Sequence, residues 1–309
     1  MLAASGPSWV QYVDPAEHAF TLDVPSGYHV EGGTVRVSPI DPRLDIRATS
    51  PDGHTIMHIG DPSLPNFAEP SPYRREGSSI QLSGGQRLMV ARYSPGVEFA
   101  YAYGEKLMQS ICQKPELKAA RAVPNPPRFS YWASAGTTVV SGEAYFLCPD
   151  QGTVGYVFAS TGETNMQGSR TWTVPEIIRF AAPKAEAGHA FAMIQHMYYS
   201  IVVDQNWLAQ LLRAQGTYGS QAYANFKAQL AADAEQMRRI DAAQQSNFQA
   251  MDNIISGITP TVDPTTGERH DVMNGTGDYH WVDGQGHTTT TKSYIAPSPF
   301  DRPLQEIHP

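Results

Sequence analysis

Between residues 18 and 160 the chain alternates apolar and polar residues in short runs, and most runs end at a glycine or proline. A period of two puts one set of side chains on one face of an extended strand, so this pattern constrains the region to build sheet. In HAFTLDV, Phe20, Leu22 and Val24 alternate before Pro25, Ser26 and Gly27 turn the chain. In YHVEGGTVRVS, Gly32-Gly33 stands between two alternating runs and predicts a hairpin. LDIRATS and HTIMHIG flank Pro51-Asp52-Gly53 and predict a second. Residues 61–77 carry Pro62, Pro65, Pro70 and Pro72 and read as loop. RFSYWAS, TTVVSGEAYFLC and GTVGYVFAST read as three more strands.

Helical spacing enters once within this region and takes over after about residue 175. Phe99, Tyr103, Leu107 and Ile111 recur every four residues, and Phe191, Ile194, Met197 and Tyr198 mark the inward face of a later helix. From Asp204, an N-cap candidate ahead of Trp207, a long helical pattern runs to Ile255, broken near Gly216 and Gly219. Over Ser220 to Ile255, Tyr223, Phe226, Leu230, Met237 and Ile240 fall near heptad positions, but Gln244 and Asn247 interrupt the seam. Such a helix packs on its own body or bridges a homodimer through residues 220–255. Asp-Pro, Asn-Gly and Gly-Gln-Gly turns then divide short β runs in a small hairpin tail. The expected domains are 1–203, a sheet with flanking helices, 204–258, helical, and 259–309, the tail.

HAFTLDVPSGYHVEGG resembles the opening of PsbP-like domains, with Tyr28 where that family usually has Trp. The likeness extends through TTVVSGEAYFLC and GTVGYVFAST to AFAMIQHMYYSI, roughly residues 15–200. It implies an α+β fold, an antiparallel β-sheet sandwiched by helices, here followed by the long helical segment and the β-hairpin tail. It also implies a binding or assembly role without catalysis, as in photosystem extrinsic subunits and exported bacterial proteins.

Composition narrows the partners. The formal charge is −8 with no Lys/Arg run, which excludes an electrostatic footprint for nucleic acid. No stretch approaches the ~20 apolar residues of a membrane-spanning helix. Charged residues make up 17% of the chain, against about 25% in ordinary globular proteins. The opening, Met1 to Pro7, is small and apolar without a basic start, and fits a mature N-terminus or a plain cytosolic one. Cys112 and Cys148, if paired, close a loop of about 35 residues that contributes roughly 3–4 kcal/mol. The alternative is two buried thiols. The disulfide reading places the chain in the periplasm or outside the cell.

One motif calls for exclusion. Leu82-Ser83-Gly84-Gly85-Gln86 spells the signature loop of ABC-type ATPases. Phosphate chemistry there requires a G-x-x-x-x-G-K-[ST] loop, and the nearest imitation, Gly162 to Gly168, continues Ser169-Arg170. Pro95-Gly96 also cuts short the helix such a loop needs. The stretch reads as a turn joining two strands, and no nucleotide site follows.

The remaining chemistry is histidine and aromatic. His270, His280 and His287 lie in the tail among Asp271, Asp278 and Asp283, and a metal could staple that segment. His54, His58 and Asp61 form a second set, although imidazoles four apart on a strand stand about 13 Å apart. Zinc, or calcium on the oxygen donors of DPTTGERHD, are the ions such groups would take, and no motif requires a cofactor. His189 and His196 share a helix face without a carboxylate in the pattern. No catalytic nucleophile can be assigned. Tyr279, Trp281, Tyr198 and Tyr199 could line a groove for a small molecule or a protein partner. The leading expectation is an exported bacterial-type protein that binds or assembles without a chemical step. Its rivals are a metal-dependent hydrolase of esters or lactones and an oligomeric scaffold.

Overall fold

The computed structural model describes residues 8–39, 41–82, 87–123, 137–166, 169–214, 235, 238–239, 244–273 and 277–307. The chain divides into two compact units, Met1–Gln244 and Gln245–Pro309.

The first unit is built on a ten-stranded sheet. Its strands are β3 (His29–Ser38), β4 (Asp41–Thr49), β5 (Ile56–Ile59), β6 (Asn66–Ala68), β7 (Ser79–Gln81), β8 (Arg87–Val90), β9 (Glu116–Val123), β10 (Thr137–Cys148), β11 (Thr153–Met166) and β12 (Ser169–Pro183). Seven of them run in the order β3-β4-β5-β12-β11-β10-β9, while β6 pairs with β12 and β8, and β7 with β8. A three-stranded sheet adds β1 (Trp9–Val13), β2 (Phe20–Pro25) and β13 (Val202–Val203). The helices of this unit are α1 (Gly96–Gln109), α2 (Ala187–Tyr199) and α3 (Gln205–Ala214). Asp204 caps α3, its Oδ1 accepting from the Trp207 amide at 2.7 Å.

Small residues let α1 lie directly on the sheet. Its buried positions are Gly96, Ala100, Gly104 and Met108, a four-residue stripe flanked by the half-buried Phe99, Tyr103, Leu107 and Ile111. A Cβ on Gly104 would come within 2.4 Å of the Phe146 ring, and one on Gly142 within 2.3 Å of the Val97 backbone. Ala100 and Met108 pack with Phe146, Val157 and Ile177. On the other side of the sheet, Phe191 of α2 meets Tyr156 edge-on at 5.1 Å, and Tyr156 stacks on Phe180 at 5.4 Å. Cys112, just past α1, is bonded to Cys148 at the end of β10, with Cα atoms 5.9 Å apart.

The second unit contains α4 (Gln244–Ser256, apart from its first residue) and β14 (Ile258–Val262), β15 (Arg269–Met273), β16 (Tyr279–Val282), β17 (Thr288–Thr291) and β18 (Arg302–Glu306). The sheet order is β15-β14-β18-β16-β17, around a core of Val272, Val282 and Leu304. Arg302 Nε donates to Asp263 at 2.7 Å and, with the turn amides, holds that carboxyl down at about 2.

These facts correct the expected fold class. Strands hold 48% of the described residues and helices 21%, in three sheets, so the chain is mostly β and not a helix-sandwiched α+β fold with a long helical segment. Strands of ten to 15 residues (β3, β10, β11, β12) carry the architecture. The described part of the helical stretch holds two short helices, α3 and α4, and the helical residues Glu235, Arg238 and Arg239. Most of the heptad-like segment 220–255 lies outside the described residues. The tail is a five-stranded sheet with its own core. Gly32-Gly33 also makes no turn: both glycines sit inside the continuous strand β3. A Cβ on Gly32 would meet the Asp45 carbonyl oxygen at 1.8 Å, and one on Gly33 the Asp14 carboxylate at 2.5 Å. The pair serves close approach instead of reversal. β7 and β8 are antiparallel partners, as expected of the strands flanking Leu82 to Gln86, while residues 83–86 lie outside the described set.

The α1 contact is directly testable. Gly104→Ala should lower stability by about 1–3 kcal/mol through overpacking against Phe146, seen as a lower urea midpoint at unchanged slope.

Candidate functional site

Strand β12 changes partner along its length. Residues Ile178–Ala181 pair with β5, whereas Thr171 and Trp172 pair with β6. Between these stretches the ladder with β11 slips, Ser160 facing Glu176 and Gly162 facing Thr173. Pro175, which has no amide hydrogen to give a ladder, sits in that slip. The bulge breaks the alternation of side chains, and Thr173 through Ile177 all line one cavity of about 350 Å³. Its other walls come from β2, β3, β4, the β5–β6 connection, the end of α2, β13 and the start of α3.

One wall is polar and already wired. Arg43 Nη2 donates to Asp41 at 2.9 Å, and Arg43 Nη1 donates to the Leu64 carbonyl. Asn66 Nδ2 donates to Asp41 at 3.2 Å, and Thr173 Oγ1 donates to Asn66 Oδ1 at 2.8 Å. Glu176, only 4% exposed, accepts from Ser160 Oγ at 2.7 Å, and Ser160 meets Ser141 at 2.9 Å. The facing wall is apolar, with Phe20, Ile59, Tyr198, Ile201 and Val203. Trp207 closes this side, its indole N–H donating to Glu17 at 2.7 Å, and Glu17 is gripped by Arg36 at 2.5 and 2.7 Å.

Glu17 belongs to a connection organised by Asp14. That carboxylate has no solvent exposure and accepts from the amides of Ala16, Glu17, Ala19 and Thr34 and from Thr34 Oγ1, at 2.7–3.2 Å. Burial alone would raise its pKa, but the donors, Thr34 and Ala19 foremost, outweigh burial and hold it below the ordinary carboxylate value.

Behind Asp61 lies a second network. Tyr103 Oη donates to Asp61 at 2.7 Å, and Arg179 Nη1 reaches it at 3.3 Å. Arg179 Nη2 lies 2.5 Å from His58 Nδ1, and His58 Nε2 lies 2.5 Å from Asp45 Oδ1. A guanidinium has hydrogens only to donate, so Nδ1 accepts and the proton sits on Nε2. Burial, and then the Arg179 charge, push the His58 pKa below its usual value. With both ring nitrogens engaged, His58 is held as a neutral spacer between Asp45 and Arg179.

The sequence candidates fall as follows. His54 is exposed and precedes β5, apart from His58, while Asp61 binds Tyr103 and Arg179. His280 pairs with Glu306 at 3.1 Å, His287 with Asp283 at 3.0 Å, and His270 lies 3.9 Å from Glu268. Among the described residues, no three His, Cys, Asp or Glu side chains come together as a metal site. His196 stacks on Trp9 at 3.7 Å and reaches Asp23 at 3.2 Å. Tyr198 lines the cavity and packs edge-on against Tyr199, whereas Tyr279 and Trp281 line a smaller pocket in the second unit. Sequence reasoning missed Arg43, Asn66, Thr173, Glu176 and Trp207. The one available signal was Pro175 inside an otherwise strand-like run.

Two outcomes follow. Arg179→Met should raise the His58 pKa toward its ordinary value, read from imidazole ¹⁵N shifts across a pH series. Asp14→Ala should cost about 3 kcal/mol near neutral pH through lost charge-assisted hydrogen bonds. A depressed carboxylate stabilises the fold above its ordinary value of 3.8 and loses that contribution as pH falls through the folded one. The gap between variant and wild type should therefore narrow in acid, measured by urea unfolding at several pH values.

A comparison of the chain with protein-family models, with curated proteins and with solved structures gave no match to any of them, so the likeness to PsbP-like domains rests on the sequence motifs alone.

Proposed function

We propose that this protein binds a small amphipathic molecule carrying an amine or hydroxyl head, and does so without a chemical step. The observation that carries this reading is the cavity: about 350 Å³, preformed, apolar on one wall and hydrogen-bonded on the other. Three carboxylates, Asp41, Asp61 and Glu176, line it, against the guanidinium of Arg43, committed to Asp41, and that of Arg179 behind the wall, committed to Asp61. That balance favours a donor-bearing or cationic head over an anionic one. The polar groups are held by one another, an arrangement suited to orienting a ligand. The Cys112–Cys148 disulfide supports placement in the periplasm or outside the cell. No described helix is long and apolar enough to cross a membrane.

Calorimetric titration with decylamine, decanol and decanoate tests the proposal. The amine should bind most tightly and decanoate least, and Val174→Trp, which fills the cavity from the bulge, should abolish binding. Equal affinity for decanoate and decylamine, or no binding of any of the three, counts against it. Turnover of an ester or lactone would instead favour the hydrolase reading.

A further inference from the structure

The second unit holds a pocket of about 240 Å³ where β16 and β18 meet the segment after β17. Three aromatic rings line it. Tyr294 packs against Tyr279 at 5.5 Å and 67°, and against Trp281 at 5.5 Å and 45°. The Trp281 ring is fixed, its N–H donating to Thr291 Oγ1 at 2.8 Å. Tyr294 is 68% exposed, an unusual position for a tyrosine whose neighbours already form a cluster. Asp278 and Glu306 add two carboxylates, and no lysine or arginine lines the pocket.

His280 positions one of these carboxylates. It is 7% exposed, and its Nε2 lies 3.1 Å from Glu306 Oε1, so Nε2 carries a hydrogen and donates it there. The pocket therefore combines π faces with accepting carboxylates. A sugar would suit the rings but not the charge. A quaternary ammonium would suit rings and charge but has no hydrogen for the carboxylates.

The geometry points to a binding site for an organic cation bearing N–H donors, of the guanidinium or alkylammonium class, on the second unit. The cation would lie against the ring faces of Tyr294 and Tyr279 and donate to Glu306 and Asp278. An arginine side chain on a peptide and a free small amine share this chemistry.

The test uses the full chain labelled with 5-fluorotryptophan, which gives one ¹⁹F resonance for each of five tryptophans. Trp281→Phe identifies the resonance of interest. Methylguanidinium should shift it saturably, tetramethylammonium should do so at least about ten-fold more weakly, and maltose should leave it unmoved. Glu306→Gln and Tyr294→Ala should each weaken methylguanidinium binding by about ten-fold. An arginine-containing tripeptide and agmatine, compared in the same assay, separate the two sources of the cation. The inference is overturned if methylguanidinium gives no saturable shift or if Glu306→Gln binds it as tightly as wild type. Equal binding of tetramethylammonium, or a saturable response to maltose, overturns it as well. Glu306→Gln keeps the side chain's size, and Tyr294 is largely exposed, so both variants report on the site in a folded protein.

Discussion

With no solvent exposure and five hydrogen bonds, the Asp14 carboxylate ties the β1–β2 connection to strand β3, and so ties the small sheet to the large one. The cavity lies between those sheets, with Ala19 and Phe20 on one side of the tie and Thr34 on the other. The same connection presents Glu17, which sets the Trp207 indole at the cavity's edge. Gly33 belongs to this arrangement, since any side chain there would collide with Asp14. A charge buried this completely is tolerated because five donors replace its water.

A common pattern runs through the polar groups of the first unit. Arg43 answers Asp41, Arg36 answers Glu17, and Arg179 answers Asp61 while His58 relays to Asp45. The Arg179–Asp61 and Arg36–Glu17 pairs and the Arg43 contact with the Leu64 carbonyl join separate elements, so the network fixes geometry that strand pairing alone would leave loose. Groups held in this way stay where they are when a ligand arrives, which lowers the ordering cost of binding.

Alternation made the strands legible, and apolar residues three or four apart made α1 and α2 legible, because each period reports which side chains turn inward. With only two cysteines a disulfide had one possible pairing, but free thiols were the alternative until the fold brought Cys112 and Cys148 together. Gly32-Gly33 misled because the motif for a tight turn and the motif for close strand approach use the same residue for different reasons. The share of helix was overestimated because alternation marks a strand but not its length, and β3, β10, β11 and β12 run to ten to 15 residues. The cavity was illegible for a simpler reason. Thr173 and Asn66 are 107 positions apart, and nothing local in either marks the other. The tail histidines were visible as residue types, but each lies by a different carboxylate, His280 by Glu306 of the neighbouring strand, His287 by Asp283 within a turn and His270 near Glu268 two residues before it.

The bond between Cys112 and Cys148 spans the edge strand β9, residues 124–136 and the body of β10. Cleavage of any single peptide bond between the two cysteines would leave one covalent molecule, with β9 or part of its flanking chain still anchored at an end. Such a protein can be nicked there and keep α1 fastened to β10. Reduction would then release what proteolysis alone could not.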